Sequence, residues 1–286
     1  DMAEGSGLEN QETEENQEEI TDNAIVLENW EDFEEKIKEE YSKLEELQGE
    51  TPLYISDLLF RGHAKRSWKL ETTLERYTKD NKCSKQEYSW RDYWELLRSI
   101  KPAINSLTTN KLELPDYTVG STARVPPAYD FMIYIRHHGF PSPLLDWTAS
   151  PYVAAFFAFL DSSEEEDVAI YSFLEYKAKA KSWCSNEPHI VGLGPYAETH
   201  RRHYQQHCQY TICFNQLKSN SWFYTSHETA EFGEDQDILT KYVLPSKERK
   251  KVLSKLRLMN IDAFSLFGSE ESLMKRLAQL EIEERR

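Results

Sequence analysis

Several common chemistries have no foothold in this sequence. Its four cysteines, Cys83, Cys184, Cys208 and Cys213, form no CxxC pair, so neither a disulfide framework nor a thiolate zinc centre is expected. There is no HExxH frame and no GxSxG elbow, the usual marks of zinc and serine hydrolases. GLGP at 192–195 lacks the lysine and the spacing of a phosphate-binding loop. No apolar run approaches the length of a membrane span, and the start has neither a basic n-region nor an apolar h-region. A cytoplasmic protein with no membrane partner is therefore the expectation. Positive charge is scarce as well: 34 Lys and Arg stand against 50 Asp and Glu, a net charge of −16. Binding of extended duplex nucleic acid, which needs a concentrated basic face, is not expected.

Much of the acidity is local. Residues 1–23 are Glu-rich, contain no Lys or Arg and have hardly any large apolar side chain, which predicts a disordered acidic tail. From Ala24 to residue 286 the pattern is that of one folded domain. Phe33, Ile37, Tyr41 and Leu44 recur at helical spacing in the Glu/Lys-rich segment 31–47, and Leu58, Leu59 and Phe60 form a short buried strand that ends in Arg61, Gly62 and His63. An arginine at the end of such a strand needs an anionic partner, either an internal carboxylate or a ligand. Residues 79–117 read as helix with loops, and their aromatic density as core packing rather than a base-stacking surface.

Polar groups crowd most densely in IRHHGFPSPLLDWTASPYVAAFFAF, residues 135–159. An apolar helix ends in His137 and His138, with Gly139 as a left-handed C-cap, and Pro141 and Pro143 then enforce an extended passage. Asp146, Trp147, Thr148 and Ser150 follow, just before Pro151 opens a second apolar helix whose N-cap is Thr148 or Ser150. Singly, these residues read as caps and core. Together they place a His pair, a carboxylate and hydroxyls at the ends of two helices that would meet at one cleft.

Beyond it, 162–167 is an acidic loop, Val168–Leu174 a strand, and 175–199 nearly aperiodic. In HRRHYQQHCQYTICF, residues 200–214, His200, His203 and His207 fall at helical spacing. Without an acidic base in frame no metal is expected, and Arg202 and Gln206 are read as facing the cleft of Asp146, ahead of a strand at 210–214. A strand at 237–244 and helices capped by Ser246 and Ser269 complete the chain. Strands and helices interleave irregularly, so the expected architecture is α+β: a single domain with a small mixed or antiparallel sheet, helical insertions and C-terminal helices.

FRG at 60–62, RHHGFPSPLLDWTASPYVAAFFAF at 136–159, Arg202 with Gln206, and VLPSKERKKVLSKLRLMNID with Leu266 and Phe267 together resemble the FRG domain family, in order, over roughly 24–277. Domains of this family occur largely in bacteria and their viruses, often near genome-defence genes, so the resemblance implies a toxin-like role in anti-phage defence. The chain is also similar, more weakly, to ADP-ribosyltransferases of the Arg-Ser-Glu type. That similarity implies an ADP-ribosyltransferase-like core and NAD as substrate. Arg61 would hold the pyrophosphate, Thr148 and Ser150 would line the ribose pocket, and Gln206 or Gln209 would stand near the usual glutamate. Asp146, Glu228 or Glu231 would then have to supply the missing carboxylate. The expected catalytic set is Arg61, His138, Asp146 and Gln206, and the ligand-binding set Arg61, His63, His137, Thr148, Ser150 and Arg202. The partners implied are NAD or another nucleotide, a macromolecular acceptor, and a regulatory or antitoxin protein for which the acidic tail could be an interaction arm. The competing expectation is a non-catalytic module that senses a nucleotide or a nucleic-acid end.

Overall fold

The computed structural model describes residues 24–109, 111–117, 125–182, 186–194, 201–217 and 221–283, so the tail expected at 1–23 lies outside the described residues. In chain order the elements are β1 (Ile25–Val26), α1 (Trp30–Glu50), β2 (Leu59–His63), α2 (Thr73–Asp80), α3 (Trp90–Leu107), α4 (Tyr129–His137), β3 (Leu145–Thr148), α5 (Pro151–Leu160), β4 (Val168–Tyr176), β5 (His189–Gly192), α6 (Arg201–Gln205), β6 (Cys208–Leu217), β7 (Ser221–Tyr224), β8 (Gln236–Leu244), α7 (Arg249–Leu258), α8 (Ala263–Phe267) and α9 (Glu270–Ala278). The α+β class, the inserted helices between β2 and β3 and the C-terminal helices are as expected.

The sheet is larger than expected. Its strands run in the order β1-β8-β4-β2-β3-β6-β5, with β7 also paired to β6. It is mixed, because β1 lies parallel to β8 while the other pairings are antiparallel. The additional strands, β1, β3, β5 and β7, are two to four residues each, too short for a period of two to mark.

Local chemistry places the breaks. Gly139 takes φ 85° directly after α4, the left-handed turn that lets the chain double back into Pro141. At the start of α5 it is Ser150, not Thr148, that caps, its hydroxyl accepting the Val153 N–H at 3.3 Å. The Lys-rich helix starts later than expected. Ser246 opens a short 3-10 turn, and Glu248 stands at the N-cap of α7. Ser269 caps α9 with a reciprocal capping box.

Two helical layers share one face of the sheet. Phe60 on β2 and Ile170, Leu174, Tyr242 and Leu244 on β4 and β8 pack under α1, α5 and α7. Tyr210, Ile212 and Phe214 on β6 pack instead under α3 and α4. Strand β3 lies between β2 and β6, below the seam where the two layers part.

The FRG tripeptide is explained by this packing. Phe60 is fully buried in the first core, and the alternation of the strand turns Gly62 to the same side and Arg61 away from it. A Cβ on Gly62 would lie 1.9 Å from the Ala154 carbonyl oxygen and 2.7 Å from the Ala158 nitrogen, both in the backbone of α5. Helix α5 answers with Ala154, Ala155 and Ala158, all wholly buried. Glycine here is a requirement of close approach. Gly62→Ala is expected to lower stability by about 3 kcal/mol or more. A urea-denaturation midpoint equal to wild type would show that β2 and α5 separate freely.

Candidate functional site

Between the two helical layers lies a cleft of about 370 Å³, lined from β2 by Arg61, from the end of α4 by Arg136 and His137, from β3 by Asp146 and Thr148, and beyond them by Gln206. Its origin is a defect in the sheet. Strands β2 and β3 register at Phe60 and Thr148 alone. Where the next ladder bond would fall, the side chain of Arg61 fills the gap, Nη1 donating to the Asp146 carbonyl oxygen at 2.7 Å.

The guanidinium is fixed from both sides. Its Nε donates to Nε2 of His63 at 3.0 Å, and Nδ1 of His63 stands 3.3 Å from the Trp68 carbonyl oxygen. Accepting at Nε2 and donating at Nδ1 requires the neutral imidazole. Burial enforces it, pushing the His63 pKa well below its ordinary value, with the Arg61 charge adding to the effect. Among the described residues no carboxylate hydrogen-bonds to Arg61. Desolvation brings its pKa down to about 10; Asp146 opposes that shift, while Arg136 and Arg76 add to it. A cationic site thus forms inside a strongly acidic protein.

The carboxylate of Asp146 faces the cleft and is held by Arg136, Nε donating to Oδ1 at 3.1 Å and Nη2 to Oδ2 at 2.5 Å. The side chain of Asp146 is 36% exposed and that of Arg136 15%, so the pair sits in the wall with the carboxylate on the open side. Arg136 itself was missing from the expected site. The signal was an arginine in the last turn of an apolar helix, ten residues before the aspartate it binds.

The remaining expected residues separate into those at the cleft and those off it. Thr148 lines it, but its hydroxyl is used by the backbone, donating to the Gln206 carbonyl oxygen at 2.7 Å and accepting the Ser150 N–H at 3.1 Å. Gln206 is buried and ties strand to helix, its Nε2 donating to the Leu266 carbonyl oxygen at 3.1 Å. His138 is exposed, its ring 4.3 Å from that of Tyr134 and outside the cleft lining. Ser150 is occupied as a cap, and His63 stands behind Arg61. Arg202 belongs to α6, and its side chain lies outside the described residues. Of the other carboxylates considered, Glu228 accepts the Leu70 N–H at 2.7 Å, and Glu231 is exposed away from the cleft lining.

His203 and His207 do not share one helical face. His200 lies outside the described residues, and His207, at φ 49°, falls beyond the end of α6. His203 meets His137 instead. Their Nδ1 and Nε2 lie 3.4 and 2.8 Å from the hydroxyl of Tyr210, and with Cys208 they make a set of donors within 4.8 Å of one another that could hold a metal ion. The Tyr210 hydroxyl bridges the two rings.

Behind β3 a second chain stiffens the wall. Trp147 Nε1 donates to the Thr211 hydroxyl at 2.8 Å, which is hydrogen-bonded in turn to Nε2 of the fully buried His227 at 2.9 Å. Desolvation, with a further push from Arg61, lowers the His227 pKa to about 3 from an ordinary 6.5.

The sequence profile of the FRG domain matches residues 56–167, which carry β2, β3, α5, Arg61, Arg136 and Asp146. The chain contains an FRG domain, matched over a shorter span than the one the motifs suggest. No curated protein and no solved structure matches the chain.

The His227 network carries a pH dependence. Between about pH 6.5 and pH 3 the unfolded chain takes up a proton at this ring that the native state does not. Native stability therefore falls as pH is lowered through that window, by about 1.4 kcal/mol per unit. Replacing His227→Gln removes this term. The stability gap between wild type and variant should narrow from pH 7 to pH 5 by roughly 2 kcal/mol, read from urea midpoints. A constant gap would mean that His227 takes up a proton in the native state as well.

Proposed function

We propose that the cleft receives a phosphorylated nucleotide through Arg61, and that the protein uses NAD as an ADP-ribosyltransferase or NAD glycohydrolase. The observation that carries this reading is the guanidinium of Arg61. It is held by a neutral imidazole and a backbone carbonyl rather than by a carboxylate, and it faces a cavity at the small end of the range for ligand pockets. Such a group is oriented for an anion that arrives from outside. The size suits one half of a dinucleotide.

In this reading the phosphates of NAD bind at Arg61 and the nicotinamide ribose lies toward β3. Nicotinamide leaves with the electrons of its glycosidic bond, positive charge builds at the ribose carbon, and water or an acceptor attacks that carbon and loses a proton. Asp146 is the carboxylate available to stabilise the developing charge, with Arg136 as its positioning residue. A toxin-like role in anti-phage defence fits consumption of NAD, and an antitoxin or other regulatory protein would then have to restrain it.

A second reading, a non-catalytic nucleotide sensor, is favoured by one observation. Both oxygens of Asp146 are engaged by Arg136, which weakens the carboxylate as a partner for a cationic transition state.

Thermal melting and nicotinamide release separate the two. For an enzyme, NAD raises the melting temperature and nicotinamide accumulates, Arg61→Ala abolishes both, and Asp146→Asn keeps the melting shift while slowing release by roughly 100-fold or more. A melting shift without nicotinamide, alone or with cell lysate as acceptor, selects the sensor. If NAD, ADP and ATP leave the melting temperature unchanged, both readings fail.

A further inference from the structure

The cleft wall beside Arg61 carries an aromatic side chain that no capping, core or ion-pairing role explains. Trp68 lines the cleft and is 46% exposed, whereas Trp30, Trp90 and Trp147 are buried in the cores. An indole left in solvent at the edge of a cavity forgoes a large burial gain.

Its backbone is nonetheless held tightly. The Trp68 N–H donates to the Lys65 carbonyl oxygen at 3.2 Å, and the Trp68 carbonyl oxygen accepts from His63 and, at 3.4 Å, from the Tyr171 hydroxyl. The turn before it is anchored at each step: Arg66 N–H to the Asp167 carbonyl oxygen at 2.8 Å, Ser67 N–H to the Glu166 carboxylate at 2.7 Å, and Lys241 Nζ to the Arg66 carbonyl oxygen at 2.8 Å. One imidazole, that of His63, touches both the Arg61 guanidinium and the Trp68 main chain, which fixes the two relative to each other. A pinned backbone that holds a half-exposed indole in the cleft wall, next to a guanidinium with no carboxylate bonded to it among the described residues, has the form of a receptor for a ligand with an anionic group and a flat ring.

We propose that Trp68 is the base platform of the nucleotide site: the nucleobase stacks on the indole while the phosphates lie on Arg61. This rests on the reading of the cleft as a nucleotide receptor and adds to it the subsite that distinguishes a nucleotide from a bare phosphate. Stacking on an aromatic side chain is tolerant of base identity.

Isothermal titration of the full chain with inorganic pyrophosphate, ADP and NAD tests the two levels separately. In Trp68→Ala, ADP and NAD should bind on the order of ten-fold more weakly, with pyrophosphate affinity unchanged and the fold intact by circular dichroism. Trp68→Phe, which keeps a π face, should recover most of the loss. Arg61→Ala should weaken all three ligands. Unchanged ADP affinity in Trp68→Ala would overturn the platform and leave the nucleotide reading standing. Equal loss of pyrophosphate and ADP would overturn it too, assigning Trp68 to the support of Arg61. Binding of none of the three by the wild type would remove the nucleotide reading and the platform together.

Discussion

The arginine in the gap between β2 and β3 is the constraint on which the rest of the site depends. A sheet that paired these strands throughout would satisfy the Asp146 carbonyl with a backbone N–H and leave no opening. Here the bond is made by the Arg61 side chain, so the strands can part while the polar group stays satisfied. The neighbouring residues follow from that choice. Phe60 anchors the strand in one core, Gly62 lets it lie flush against α5, and His63 must remain neutral because it accepts from a cation.

The charge of the cleft is shaped by subtraction. Arg61 and Arg136 bring two positive charges to its inner wall, and Asp146 brings one negative charge. Were Asp146 unpaired, its carboxylate would repel the phosphate that the proposed function seats on Arg61, at short range where screening by water is weakest. The bidentate grip of Arg136 neutralises that repulsion while keeping the carboxylate in place. The acidic remainder of the protein then acts only at distance, where salt screens it.

Local chemistry that the sequence made legible was concentrated where periodicity and caps agree. The apolar α4 with Gly139 behind it, the Pro151 start of α5, the strand through Phe60 and the order of the C-terminal helices could all be read from residue pattern. The start of α2 could have been, since Thr72 and Glu75 form a capping box at the expected spacing. What stayed hidden depends on contacts between distant segments. Arg136 looked like the charged end of a helix until β3 brought Asp146 to it, and nothing near Gln206 in the chain told that its amide would reach the Leu266 carbonyl of α8 while the residue lined the cleft. Trp68 was concealed by composition: among so many aromatics, only burial together with a place in the cleft lining separates it from those that fill cores.

If the cleft receives a phosphate as proposed, the same pairing also bears on how it would work. A carboxylate that must stabilise a cationic ribose acts best when fixed in place and free of competing cations, and Arg136 supplies the first condition while opposing the second. The opposition is not fixed. An anion seated on Arg61 lies near Arg136 as well, and any share of its charge that Arg136 takes up is withdrawn from Asp146. Loading the phosphate subsite would in that way raise the effective negative charge of the carboxylate at the moment a substrate is present. On the proposed reading, Arg61, Asp146 and Arg136 would act as a coupled unit, the carboxylate held by Arg136 until a phosphate on Arg61 drew part of that grip away.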